Sequence, residues 1–226
     1  MSESGKVQLP WSDIDTLLLD MDGTLLDLAF DNFFWLELVP GAYAEARGIP
    51  LDDAREQVRA RYAPVVGTLP WYCLDHWTGE LGLDLETMKR AHSHRIRYLP
   101  QAEAFLAAAR KLQKRLILVT NAHRITLTIK CEQTGVDGWM DAVVSSHDYG
   151  VEKEHVEFWQ SLEQEQQIAP ERCLLIEDSL AVLETAESYG IAHTVAISHP
   201  DTSQAPRDIE RFTSVAGVRS LIPQAD

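Results

Sequence analysis

Cysteine is scarce in this chain of 226 residues: Cys73, Cys131 and Cys173 stand far apart, and none belongs to a Cys-x-x-Cys pair. An odd, scattered count excludes a disulfide framework, argues against a zinc site and fits thiols kept reduced, as in the cytoplasm. Basic residues are also few. Lys and Arg number 20 against 35 Asp and Glu, giving a net charge of −15 and a pI near 4.9. That balance argues against a nucleic acid polymer or an anionic membrane as partner, because basic patches supply the affinity for both. It also means that a phosphorylated ligand needs a local cation. No apolar run approaches the length of a membrane span, and Met1 to Pro10 lacks the apolar core of a secretion signal. Internal repeats and low-complexity tracts are missing too. What remains is ordinary globular composition, 45% hydrophobic and 24% charged, in a chain long enough for a full core and a small second domain.

Apolar runs alternate with helical stretches over residues 100–197. Strands are expected at 16–19, 116–120, 142–145, 173–177 and 193–197. Helices are expected at 100–109, 123–133, 154–166 and 180–188, with Gly135 as a stop signal. This βαβ rhythm predicts an α/β fold, a parallel sheet with helices on both faces. Residues 199–208, rich in Pro, Asp and Ser, read as loop. Residues 28–98 break the rhythm and hold no convincing strand. Within them 30–35, 51–62, 71–81 and 84–96 read as helices.

The most informative stretch is Asp20-Met21-Asp22-Gly23-Thr24, directly after the apolar run Thr16-Leu17-Leu18-Leu19. Side chains two apart on a strand share a face. Asp20 and Asp22 can therefore both project from the strand's carboxyl end, where open α/β sheets hold their ligands. Two carboxylates so placed call for a cation or a shared proton. Three further strand ends carry polar residues in order: Thr120-Asn121 after Leu116-Ile117-Leu118-Val119, Lys153 after Ala142-Val143-Val144-Ser145, and Glu177-Asp178-Ser179 after Cys173-Leu174-Leu175-Ile176.

With these four motifs in this order, the chain resembles the haloacid dehalogenase (HAD) superfamily. The resemblance implies a Rossmann-like core built from residues 1–27 and 99–226, with residues 28–98 inserted as a small helical cap that closes over the site. It implies Asp20 as nucleophile, Asp22 as general acid and base, and Thr120, Lys153 and, less directly, Asn121 as phosphate-binding groups. Magnesium is the implied cofactor, held by Asp20, the backbone carbonyl of Asp22 and Asp178, with Glu177 acting through a water or as an orienting group. Each residue also has a plainer reading. A strand-end aspartate can cap the next helix, a lone lysine is usually solvated, and an acidic pair suits a helix N-terminus. His92 and His94, two apart on an expected helix, do not share a face. His123 fits a helix start, and the acidic stretch 152–165 a solvated helix face.

Within the superfamily, Asp22 points to phosphate chemistry, since the dehalogenases lack that second aspartate. Phosphonate cleavage needs a cap lysine, and Lys89 lies in a polar helix stretch. Glu154 and Val182 stand where sugar-phosphate enzymes commonly carry Pro and Gly. Lys153-Glu154, Glu177-Asp178-Ser179, the segment Leu69-Pro70-Trp71-Tyr72-Cys73-Leu74-Asp75-His76-Trp77 and His94-Arg95-Ile96-Arg97-Tyr98-Leu99-Pro100 look instead like the bacterial GMP/IMP 5′-nucleotidase branch. Ten of the 18 aromatic residues fall in residues 28–98, where they could stack on a purine or, as with Phe33, Phe34, Trp35 and Trp77, form the insertion's own core. The expectation is thus a magnesium-dependent phosphomonoesterase acting on a small phosphorylated metabolite, specifically a purine nucleoside 5′-monophosphate. A sugar-phosphate phosphatase and a catalytically silent binding protein on the same fold stand as alternatives.

Overall fold

Six parallel strands form one sheet in the order β3-β2-β1-β4-β5-β6: β1 (Thr16–Leu19), β2 (Arg115–Thr120), β3 (Ala142–Ser145), β4 (Cys173–Glu177), β5 (His193–Ile197) and β6 (Ser214–Val215). This is a computed structural model that describes residues 7–221; most of the N-terminal stretch read above for a leader lies outside the described residues. The period-two rule sorts the strand residues. Leu17, Leu19, Leu116, Leu118, Leu174 and Ile176 face one apolar layer, whereas Leu18, Ile117, Val119, Cys173 and Leu175 face the other. Both faces are covered, which is why each strand reads as an unbroken apolar run. The strand order reverses at β1, where the chain leaves toward β2 on one side and β4 on the other. That reversal opens a crevice at the carboxyl ends of these strands.

The expected strands all form. The two-residue β6 was missed because nothing so short stands out from loop composition. The helices are α1 (Ala29–Phe33), α2 (Val39–Arg47), α3 (Leu51–Tyr62), α4 (Leu69–Tyr72), α5 (Leu74–Leu81), α6 (Leu85–Ala91), α7 (Ala102–Lys111), α8 (Arg124–Thr134), α9 (Ser146–Tyr149), α10 (Val156–Gln166) and α11 (Leu180–Tyr189). No helix among the described residues is long and apolar enough to cross a membrane.

Helices α1–α6 form the insertion, with an apolar centre of their own that includes Phe34, Tyr43, Val58, Trp77 and Leu85. Three details differ from expectation. The helix expected over 84–96 ends at Ala91 and is followed by a 3₁₀ turn over Ser93–Arg95. The helix expected to end at Trp35 continues through a π-helical turn (Phe34–Leu38) into α2. The helix expected over 71–81 is broken at Cys73, whose extended backbone ends α4 and whose Sγ accepts the His76 N–H at the start of α5.

Candidate active site

The sheet's carboxyl edge brings the four motifs to one point. Asp20 leaves β1 with its N–H bonded to the Ile176 carbonyl at 3.0 Å, so it continues the ladder beside β4. Lys153 arrives from the loop between α9 and α10. Its Nζ donates to Asp20 Oδ1 at 2.6 Å, to Glu177 Oε2 at 2.7 Å and to the Val119 carbonyl at 3.1 Å. It is 2% exposed despite its charge. Glu177 Oε1 accepts the N–H groups of Asp178 and Ser179, each at 3.0 Å. Asp178 is held from behind by Arg207, whose Nη2 donates to its carbonyl at 2.7 Å.

Carboxylate oxygens of Asp20, Glu177 and Asp178 lie within 4.8 Å of one another. Gly23 permits that approach. Its φ is +86°, and a Cβ there would fall 2.8 Å from Cγ and Oδ2 of Asp178 and from Cβ of Pro200. The crowding is legible in the protonation equilibria. Burial, followed by the Glu177 charge, pushes the Asp20 carboxyl up to about 7 against the pull of Lys153. Burial likewise raises Glu177 and Asp178 to about 7 each, with Asp178 adding to the first and Asp20 to the second. Burial disfavours the Lys153 charge, but Asp20 and Glu177 outweigh it and hold that lysine above its usual range. One lysine cannot balance three carboxylates. Asp20 Oδ2 is buried without a hydrogen-bond partner, and an orphaned carboxylate oxygen among oxygen donors suits a hard divalent cation.

Asp22 sits apart from this cluster. Its Oδ1 accepts from Lys130 Nζ of α8 at 2.5 Å, and the same Nζ reaches Asp31 Oδ2 of α1 at 2.5 Å. Asp31 Oδ1 accepts in turn from Lys89 Nζ of α6 at 3.0 Å. Thr120 ends β2 with its Oγ1 accepting the Ala122 N–H at 3.0 Å. Asn121 works sideways: its Oδ1 accepts the Lys153 N–H at 3.0 Å and its Nδ2 donates to Glu154 Oε2 at 2.8 Å. Tyr72 of the insertion donates to Glu154 Oε1 at 2.6 Å, a contact that spans the two parts of the chain.

Above these groups lies a cleft of about 380 Å³. Its lining includes Asp20, Asp22, Thr120, Asn121, Lys153, Glu177 and Asp178 together with Trp35, Tyr62, Trp71, Tyr72 and Trp77. The arrangement offers a free carboxylate oxygen, a fixed ammonium, a cluster of carboxylate oxygens and a separate carboxylate, in a cleft that aromatic rings also line.

Residues 14–190 match the haloacid dehalogenase-like hydrolase family. The chain belongs to that family. It is 40% identical over 217 residues to the GMP/IMP nucleotidase YrfG of Escherichia coli strain K12, covering 96% of this chain and 98% of that one, and equally so to YrfG of Shigella flexneri. Among solved structures, a HAD phosphatase from Thermococcus onnurineus superposes with a TM-score of 0.76 at 20% identity, covering 92% of this chain and 95% of that one. The L-2-haloacid dehalogenase of Xanthobacter autotrophicus superposes at 0.55 and 19% identity, covering 84% and 80%. The HAD fold is common to all of these.

Every site residue expected from sequence borders this one cleft. Sequence reasoning missed Lys130, Asp31 and Arg207, used Glu154 as a branch marker without foreseeing its contacts, and passed over the burial of Lys89. The polar helix stretch around Lys89 counted only against a phosphonate-cleaving role. That lysine is fully buried, with Nζ 4.3 Å from the Phe34 ring centroid and paired to Asp31. The position could have been flagged by its spacing from Leu85, four residues earlier on the apolar face of α6. Of the four aromatics weighed as core or site, Phe34 is interior and Phe33 stacks on Arg95 at 3.7 Å, whereas Trp35 and Trp77 reach the cleft.

Proposed function

We propose that this HAD hydrolase is a magnesium-dependent phosphomonoesterase of purine nucleoside 5′-monophosphates. The observation that carries the reading is the junction of an oxygen-rich, lysine-braced strand edge with an aromatic-lined cleft, in a chain 40% identical to GMP/IMP nucleotidases. Asp20, Asp178 and the backbone carbonyl of Asp22 would hold the magnesium, with Glu177 orienting Lys153 and the Asp178 backbone. When bound, magnesium offsets the carboxylate charge and that of the incoming phosphate.

Asp20 is the nucleophile in this reading. An Asp20 oxygen bonds to phosphorus as the ester P–O bond breaks, giving an aspartyl-phosphate. Asp22 delivers a proton to the departing nucleoside oxygen, then takes one from the water that attacks the aspartyl-phosphate and releases inorganic phosphate. Burial, the largest influence on Asp22, raises its pKa and so favours the protonated form needed for the first step, against the pull of Lys130. Lys153 and Thr120 bind phosphate oxygens, while Asn121 fixes the Lys153 backbone. Residues 28–98 act as the cap, and Trp35, Trp71 and Tyr72 stack on the base. The free thiols fit a cytoplasmic enzyme.

Phosphate release from a panel of nucleotides and sugar phosphates, with magnesium, tests the reading. GMP and IMP should lead by at least about tenfold in kcat/KM, the worth of one stacked ring. Equal or greater activity on sugar phosphates removes the nucleotidase claim and leaves a metabolite phosphatase. No release from any of them removes both.

A further inference from the structure

We propose that Cys73, His123 and His147 form a second metal site, for a transition-metal cation of the zinc class, which ties the helical insertion to the sheet domain. Cys73 lies between α4 and α5 of the insertion, His123 caps the start of α8 two residues after Asn121, and His147 lies in α9 after β3. They are 50 and 24 residues apart in the chain, so no spacing motif announces them. The fold nevertheless brings Sγ and one nitrogen of each ring within 4.8 Å of one another.

Unpartnered ring nitrogens indicate a ligand here. Nδ1 of His123 and Nε2 of His147 are both buried without a hydrogen-bond partner. A polar atom so placed destabilises the fold unless something binds it. The rings also meet edge to face, with centroids 4.9 Å apart at 87°, rather than pairing through their nitrogens. Asp75 Oδ2, from the first turn of α5, lies 3.7 Å from His123 Nε2 and can orient that ring from the nitrogen facing away from the ion.

The donor set selects the ion. One sulfur and two imidazole nitrogens suit zinc or cobalt, whereas the oxygen cluster around Asp20 suits magnesium. Tetrahedral zinc spaces its ligands about 3.5 Å apart, so small side-chain rotations close the site around the ion. Its position gives it a mechanical role. Cys73 follows Tyr72, which already reaches Glu154 across the seam at 2.6 Å. A bound ion would add a coordinate link beside that hydrogen bond and hold the insertion down on the cleft.

The test uses the full chain with excess magnesium present. Titration with Co²⁺ should give one equivalent with a thiolate-to-cobalt charge-transfer band, displaced by Zn²⁺. Cys73→Ser should abolish the band. His147→Gln, on the other side of the seam, should weaken Zn²⁺ binding by at least about tenfold, since even an outer contact to a metal ligand is worth that much. Melting curves establish that each variant is folded, and either variant alone suffices if the other is not. Zn²⁺ should also slow phosphate release by the wild type several-fold more than by Cys73→Ser. No band in the wild type, or a band retained in Cys73→Ser, overturns the site. Equal slowing of both proteins overturns the tie between insertion and sheet domain.

Discussion

Asp20→Asn removes one negative charge from a crowd of three while keeping the side chain's shape. If Asp20 is the nucleophile, phosphate release should fall by at least about a thousandfold. The fold should survive, because Lys153 keeps Glu177 as a partner at 2.7 Å and the remaining carboxylates repel less. A melting temperature at or above that of the wild type, with activity lost, is the expected pair of results; undiminished turnover would sink the assignment. Gly23→Ala makes the complementary change, leaving every charge in place and disturbing only space. The new methyl would meet Asp178 and Pro200 at 2.8 Å, on a backbone at φ +86°. The strain should cost about 1–3 kcal/mol of stability and weaken magnesium binding by displacing Asp178. Calorimetric titration with magnesium would show an affinity indistinguishable from wild type if Asp178 is not a ligand.

At the scale of elements, the chain Asp22–Lys130–Asp31–Lys89 joins the end of β1 to α8, α1 and α6. Burial works against the Asp31 charge, but Lys130 and Lys89 outweigh it and lower its pKa from 3.8 to about 2. A depressed folded-state pKa means that the stabilisation is fully present above 3.8 and disappears as pH falls toward 2. Asp31→Asn should therefore cost about 3–5 kcal/mol at neutral pH, where it leaves two buried lysines short of a partner. The stability gap between the two proteins should narrow below pH 4, as read by urea unfolding at several pH values; a gap of constant size would show that the Asp31 charge contributes nothing. None of this network was legible in the sequence, whereas the strands were. A buried parallel strand is apolar on both faces and declares itself locally, as Leu17-Leu18-Leu19 and Leu174-Leu175-Ile176 do. The carboxylates that follow such runs were legible for the same reason. Lys130 lies 108 residues from Asp22 and Lys89 lies 58 from Asp31. Pairing over such distances is decided by packing, which leaves no periodic trace. The break at Cys73 was hidden likewise, because a thiol accepting the His76 N–H is a rare helix cap compared with Ser or Asp.

For the whole molecule, the net charge of −15 and the three crowded carboxylates make the same demand, and both were readable as a need for a cation. Folding brings Asp20 to the adjacent pair Glu177 and Asp178, whereas the unfolded chain separates it from them. A divalent ion should therefore bind the native state far better than the unfolded one, and its binding free energy adds to stability. At magnesium one hundred times its Kd the gain is about 2.7 kcal/mol. For a chain of this length about 2–4 °C accompanies each kcal/mol, so the melting temperature should rise by about 5–11 °C over that measured with chelator. The surface charge alone would also respond to magnesium, by screening, but sodium chloride of matched ionic strength reproduces that part. Differential scanning calorimetry in the two salts separates them. A rise confined to magnesium, and lost in Asp178→Asn, places the stabilisation at the strand edge. Equal rises in both salts would mean that the ion acts on the acidic surface as a whole, and the proposed coordination by Asp20 and Asp178 would have to be abandoned.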